Sequence, residues 1–136
     1  MAQKTLPHFL VIDDDPINNK ICSKILETTI AGARVQTFTD PAKGLAHIRT
    51  SYSVADAAKA ILFLDINMPT MTGWEVLDAF SDFPEPVREK VEIHMLSSSV
   101  DPHDKKKVED NKLVTSYITK SLSRVKLQDL FGDYIG

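Results

Sequence analysis

Short runs of apolar residues alternate along the chain with longer stretches whose apolar positions recur every three or four residues. Phe9-Leu10-Val11-Ile12 reads as a buried strand. From Pro16 to Thr29, the residues Ile17, Ile21, Ile25 and Leu26 share one helical face. Asp15-Pro16 supplies an N-cap and a first-turn proline, and Gly32 follows where a stop is expected. Arg34 to Phe38 alternates like a short strand. Asp40-Pro41 repeats the cap-and-proline start, with Leu45 and Ile48 facing inward on a second helix. Residues 50–59 are small and polar and read as a connection. Ile61-Leu62-Phe63-Leu64 is continuously apolar, as in a strand covered on both faces. Gly73 to Phe80 predicts a third, short helix, after which Pro84 and Pro86 break the chain. Val91 to Leu96 reads as a fourth strand, and Asp101-Pro102 opens a polar helix to about Lys112. Val114 to Thr119 is a fifth strand, and Ser123 to Tyr134 predicts a last helix burying Val125, Leu127, Leu130 and Phe131. This alternation of strand and helix predicts an α/β fold: a doubly wound parallel sheet, helices on both faces, right-handed crossovers.

Composition narrows the picture further. A chain of 136 residues suits one domain, and no interdomain linker is visible. The net charge of −3 argues against a nucleic-acid partner, since phosphate backbones call for a basic face. Cys22 is the only cysteine, which excludes an internal disulfide and a cysteine-based zinc site. The apolar stretch after Lys4 is too short for a signal peptide. No apolar run approaches the roughly 20 residues needed to span a bilayer, so no membrane insertion is expected. A reducing cytoplasm is the default location.

The candidate chemistry lies where apolar runs end. The first run ends in Asp13-Asp14-Asp15, the third in Asp65, the fourth in Ser97-Ser98-Ser99, and the fifth, after Thr119, in Lys120. In a parallel sheet these groups gather at the carboxyl edge, where doubly wound folds carry their sites. Several carboxylates there repel one another unless a cation joins them. Hard oxygen ligands suit Mg2+, with Mn2+ as a substitute. A metal, an ionised carboxylate, a hydroxyl and an ammonium are the parts that handle a phosphoryl group. A carboxylate can itself attack and carry an acyl phosphate.

The segments Phe9-Leu10-Val11-Ile12-Asp13-Asp14-Asp15, Leu64-Asp65-Ile66-Asn67-Met68-Pro69-Thr70-Met71-Thr72-Gly73-Trp74, Met95-Leu96-Ser97-Ser98 and Tyr117-Ile118-Thr119-Lys120 together resemble the receiver domain of two-component response regulators. The resemblance covers residues 6 to 135. It implies a flavodoxin-like sheet of order 2-1-3-4-5 and a single-domain switch of the chemotaxis-regulator kind. It further implies that Asp65 accepts a phosphoryl group from a histidine kinase or histidine phosphotransfer protein. Asp14 becomes the principal metal ligand, Asp13 contributes mostly through water, and Asn67 adds its backbone carbonyl. Ser97 contacts the phosphoryl oxygens and moves on activation, Lys120 pairs with the phosphoryl group, and Tyr117 swings inward behind Ser97. Asn67 and Ser99 occupy the positions at which the family varies its dephosphorylation rate. Such a protein is a phosphoacceptor with slow self-dephosphorylation and not a metabolic enzyme. It signals to a downstream protein target by a change of surface. The chain has no room for an output domain, so a stand-alone receiver is expected, and a homodimer through the last helices stays open.

One position departs from the family pattern, which has proline after the lysine where this chain has Ser121. A cis bond to a non-proline residue costs about 2.5–4 kcal/mol. A trans Lys120–Ser121 bond is therefore expected, or a cis one if the loop imposes it. Two other functions compete. In a phosphatase resembling the haloacid dehalogenase superfamily, Asp13 would be the nucleophile. In a degenerate receiver the fold would persist as a binding module without phosphorylation. Plainer readings cover the remainder: Met68, Met71 and Trp74 as packing, Gly73 as a turn into the third helix, Lys105 to Lys107 as a solvated face, and no role for His8, His47, His94 or His103.

Overall fold

In a computed structural model, which describes residues 6–53, 57–98 and 101–135, the continuously apolar run lies at the centre of the molecule. It forms β3 (Ala60–Asp65), buried at every position. β1 (His8–Ile12) and β4 (Val91–Ser97) flank it, with β2 (Arg34–Phe38) and β5 (Val114–Thr119) at the edges. All pairings are parallel and the order is β2-β1-β3-β4-β5. The helices are α1 (Pro16–Thr29), α2 (Pro41–Ser51), α3 (Gly73–Ser81), α4 (Glu85–Lys90), α5 (Pro102–Asp110) and α6 (Arg124–Phe131). A 3-10 turn, Gly132–Tyr134, follows α6. This is the expected doubly wound, flavodoxin-like sheet, and its period of two sorts the core. Leu10, Ile12, Leu62, Leu64, Ile93 and Met95 pack on one face with α2, α3, α4 and α5. Phe9, Val11, Ile61, Phe63, Leu96 and Ile118 pack on the other with α1 and α6.

Three helices begin as the Asp-Pro signal requires. The carboxylates of Asp15, Asp40 and Asp101 accept from the N–H groups of Ile17, Ala42 and His103, each at 2.9 Å. Such a cap contributes about 1 kcal/mol and sets the residue at which each helix leaves its loop.

The pattern misled in three places. Helix α4 forms where the prolines were expected only to break the chain. Pro84 is its N-cap and Pro86 lies in its first turn, where a missing N–H is not needed, and buried Val87 anchors it. On α1 the buried stripe is Asn18, Asn19, Cys22, Leu26 and Thr29, while Ile17 is 69% and Ile21 47% exposed. The reason is local: α1 starts beside a cluster of carboxylates, so its first inward positions must be polar. On α6 only Leu127 and Phe131, one i,i+4 pair, are buried; Val125 is 66% and Leu130 37% exposed. Among the described residues no helix is long and apolar enough to cross a membrane.

Candidate functional site

The carboxyl ends of β1, β3, β4 and β5 bring Asp13, Asp65, Ser97 and Lys120 to one edge of the sheet. Asp13, Asp65 and Ser97 are buried, at 0%, 3% and 1% exposure, while Asp14 faces solvent. Carboxylate oxygens of Asp13, Asp14 and Asp65 all lie within 4.8 Å of one another. Mg2+ takes oxygens at about 2.0–2.1 Å, so ligands across one ion stand about 4 Å apart. Three hard oxygens held within 4.8 Å are near enough to converge on such an ion with a small closure of the site.

Lys120 is the positive charge among them. Its Nζ donates to Asp13 Oδ2 at 2.8 Å and stands 3.4 Å from Asp65 Oδ1. Burial pulls the ammonium down, but the hydrogen bond to Asp13 and the charges of Asp65 and Asp13 outweigh it and hold Lys120 above its ordinary value. Asp65 feels the opposite balance. Burial and the neighbouring Asp13 push it up to about 6, against Lys120 and the Asn67 N–H, which favour its charge. That N–H donates to Asp65 Oδ1 at 3.3 Å.

The backbone around Lys120 is tied on both sides. Its N–H donates to the Ser97 carbonyl at 2.7 Å. Lys126, from α6, donates through Nζ to the carbonyls of Thr119 and Ser121 at 2.5 and 2.9 Å. The Lys120–Ser121 bond is cis, the second of the two outcomes weighed from the sequence and not the trans bond expected first. Tyr117 is half-buried on β5, and its hydroxyl accepts from the N–H of Asp101, the N-cap of α5, at 3.4 Å. Ser99 lies outside the described residues.

Gly73 is needed for space, since its backbone is not left-handed. Its N–H donates to the Ile66 carbonyl at 2.8 Å. A Cβ there would stand 2.6 Å from the Asp65 carbonyl oxygen, 2.9 Å from Ile66 Cα and 2.9 Å from Met95 Cε. Two of these neighbours are backbone and cannot yield without moving the end of β3. We therefore expect Gly73→Ala to lose about 1–3 kcal/mol in denaturant unfolding, the usual range for overpacking.

Asn18 and Asn19 escaped the sequence reading. Asn18 Nδ2 donates to Asp13 Oδ2 at 2.6 Å, and Asn19 Nδ2 donates to the Asp13 carbonyl at 2.9 Å. The only signal was an Asn18, Cys22, Leu26 stripe at four-residue spacing, weaker by hydropathy than the isoleucines beside it. With the Asp15 N–H on Oδ1 at 2.9 Å and Lys120 also on Oδ2, the wholly buried Asp13 carboxylate is held by three donors. That is a poor position for a nucleophile, which argues against the phosphatase reading. His94 is a core residue, 1% exposed, between Phe63 and Phe131 and bonded through Nε2 to Glu92 at 2.7 Å. Trp74 packs under the Lys107 ammonium, 4.5 Å from its ring centre.

The chain belongs to the response regulator receiver domain family, whose sequence profile matches residues 9–131. Receiver domains are the phosphoacceptors of two-component phosphorelay signalling, work with histidine kinases or phosphotransfer proteins, and bind Mg2+ in an acidic pocket. Hybrid signal transduction histidine kinase L of Dictyostelium discoideum is 33% identical over 135 residues, 96% of this chain and 7% of that protein. Stress response regulator protein 1 of Scheffersomyces stipitis is 31% identical over 101 residues, 71% of this chain and 31% of that protein. The chain thus spans less than a third of the length of either relative. The crystal structure of a two component response regulator from Cytophaga hutchinsonii is similar with a TM-score of 0.85 and 30% identity, over 96% of this chain and 98% of that one.

Proposed function

We propose that residues 6–135 act as a receiver in which Asp65 is the phosphoacceptor. The observation that carries this reading is the setting of Asp65: buried at the end of the central strand, within 4.8 Å of two further carboxylates and 3.4 Å from an ammonium. An Asp65 oxygen attacks the phosphorus of a phosphohistidine. The P–N bond breaks, its electron pair returns to the imidazole nitrogen, and an aspartyl phosphate forms. Asp13, Asp14 and Asp65, with the Asn67 backbone carbonyl, would hold Mg2+, or Mn2+ in its place, which when bound would supply positive charge to the phosphoryl oxygens and let the three carboxylates be ionised together. Lys120 turns from the carboxylates to a phosphoryl oxygen, and the Ser97 hydroxyl donates to another. The Ser97 shift reaches the surface through Tyr117, whose hydroxyl is tied to the start of α5. Water slowly attacks the phosphorus, the P–O bond to Asp65 breaks with its electron pair returning to the carboxylate, and inorganic phosphate leaves, which resets the switch. The chain works in the cytoplasm, and its changed surface is read by a downstream protein target.

The test is incubation with acetyl phosphate and Mg2+ followed by intact mass: one added phosphoryl group supports the reading, and none removes it. A protein donor has a further requirement. Helix α1 starts directly after the Asp13–Asp15 segment, and its exposed Ile17 and Ile21 offer an apolar docking face for that donor. Covering two such side chains contributes roughly 1–2 kcal/mol, about tenfold in affinity. Ile17→Ala/Ile21→Ala is therefore expected to slow transfer from a phosphorylated histidine phosphotransfer protein about tenfold at subsaturating donor. Labelling by acetyl phosphate should stay as in wild type.

A further inference from the structure

The buried carboxylate of Asp13 has one side-chain donor more than a resting ion pair needs. Its Oδ1 accepts from the Asp15 N–H, and its Oδ2 accepts from both Lys120 Nζ, at 2.8 Å, and Asn18 Nδ2, at 2.6 Å. Asn18 is itself buried, at 8% exposure, and its Nδ2 also lies 3.6 Å from Cys22 Sγ on the next turn of α1. The amide is therefore aimed at Asp13 by its packing. The proposed reaction asks Lys120 to leave Asp13 for a phosphoryl oxygen. If Lys120 were the only side-chain donor on Oδ2, its departure would strip a buried carboxylate oxygen, which is costly in a site of low dielectric. The departure would also free the carboxylate to rotate away from the cation position.

We propose that Asn18 is a positioning residue for phosphoryl transfer. It holds Asp13 Oδ2 in place for the cation and so releases Lys120 to move toward Asp65. The inference rests on the reading of Asp65 as phosphoacceptor. The Asn18 amide bonds to Asp13 and lies against Cys22, so it acts through Asp13. The alternative is a plain packing role near the start of α1, in which case its loss lowers the melting temperature alone.

Asn18→Leu keeps the approximate shape and removes the donor; Asn18→Ala is a second variant should the first fold poorly, and melting in EDTA reports folding. Mn2+ affinity, read from the electron paramagnetic resonance signal of the free ion, is expected to weaken about tenfold, as when the partner of a metal ligand is removed. The rate of phosphorylation by acetyl phosphate at saturating Mg2+ should fall by a similar factor. The deciding readout is the cycle with Lys120→Met. Because Asn18 acts partly by releasing Lys120, the double variant should lose less rate than the product of the two single losses. Unchanged Mn2+ affinity and rate in folded Asn18 variants, or losses that simply multiply, overturn the proposal. A wild-type protein that takes up neither Mn2+ nor phosphate overturns the Asp65 reading, and the role of Asn18 with it.

Discussion

Asp65→Asn is expected to reduce labelling by acetyl phosphate to background and, at the same time, to make the metal-free protein more stable. The first effect follows from chemistry: an amide is not a nucleophile toward phosphorus at neutral pH, and the neighbouring Asp13 is buried and held by Asp15, Asn18 and Lys120. The second follows from linkage. Burial, followed by the Asp13 charge, raises Asp65 from 3.8 to about 6 in the folded chain. Between these values the folded state binds more protons than the unfolded state. The contribution of Asp65 to stability is thus favourable below 3.8 and is lost as the pH rises through about 6. Above that pH the ionised side chain is a cost, which asparagine of the same shape removes. Thermal melts in EDTA should show the largest gain of Asp65→Asn over wild type above pH 6, fading as the pH falls toward 4. Mg2+ should reverse the ranking by stabilising wild type more than the variant. Labelling that persists in Asp65→Asn, or a metal-free stability equal to wild type at pH 7, would sink this account.

Lys120→Met tests the same electrostatics from the other side. The ammonium touches both buried carboxylates, at 2.8 and 3.4 Å, and its side chain is 19% exposed. Removing it leaves Asp13 and Asp65 facing each other without a counterion. Losing one partner of a buried pair costs about 3–5 kcal/mol, and partial solvent access puts this site near about 3 kcal/mol. For a chain of this size that is a fall in melting temperature on the order of 10 °C at pH 7 in EDTA. Two further outcomes separate this cause from lost packing. The penalty should shrink as the pH falls through the range in which Asp65 takes up its proton. Mg2+ should restore part of the stability, since it replaces the missing charge. A loss independent of both pH and Mg2+ would point to packing of the lysine stem.

Most of the fold was legible because its signals are local. The apolar run at 61–64 is typical of a strand covered on both faces, and β3 is that strand. Asp15, Asp40 and Asp101, each before a proline, announced three helix starts to the residue. The reading of α1 failed for the opposite reason. Its isoleucines sit at helical spacing, yet the inward positions belong to Asn18 and Asn19, because the neighbours of that face come from β1 and β2 and are polar there. Periodicity detects an apolar stripe but not a polar one, and only the three-dimensional neighbourhood shows which stripe turns inward. Helix α4 was missed because two prolines hide a first turn that tolerates them.

The amino-acid order by itself determined the alternation of strand and helix, the parallel sheet that follows from it, and the edge at which Asp13, Asp65, Ser97 and Lys120 must collect. These follow from periods of two and 3.6 residues and from the fact that parallel strands end on the same side. The tertiary structure alone decided what those groups do to one another. Lys120 bridges Asp13 and Asp65, Asn18 shares Asp13 with it, and Gly73 stays small because the Asp65 carbonyl lies against it. Distances of 2.6 to 3.4 Å between residues up to 107 positions apart have no counterpart in local pattern. They are set by how the sheet and its helices pack, and burial there turns neighbouring charges into strong interactions.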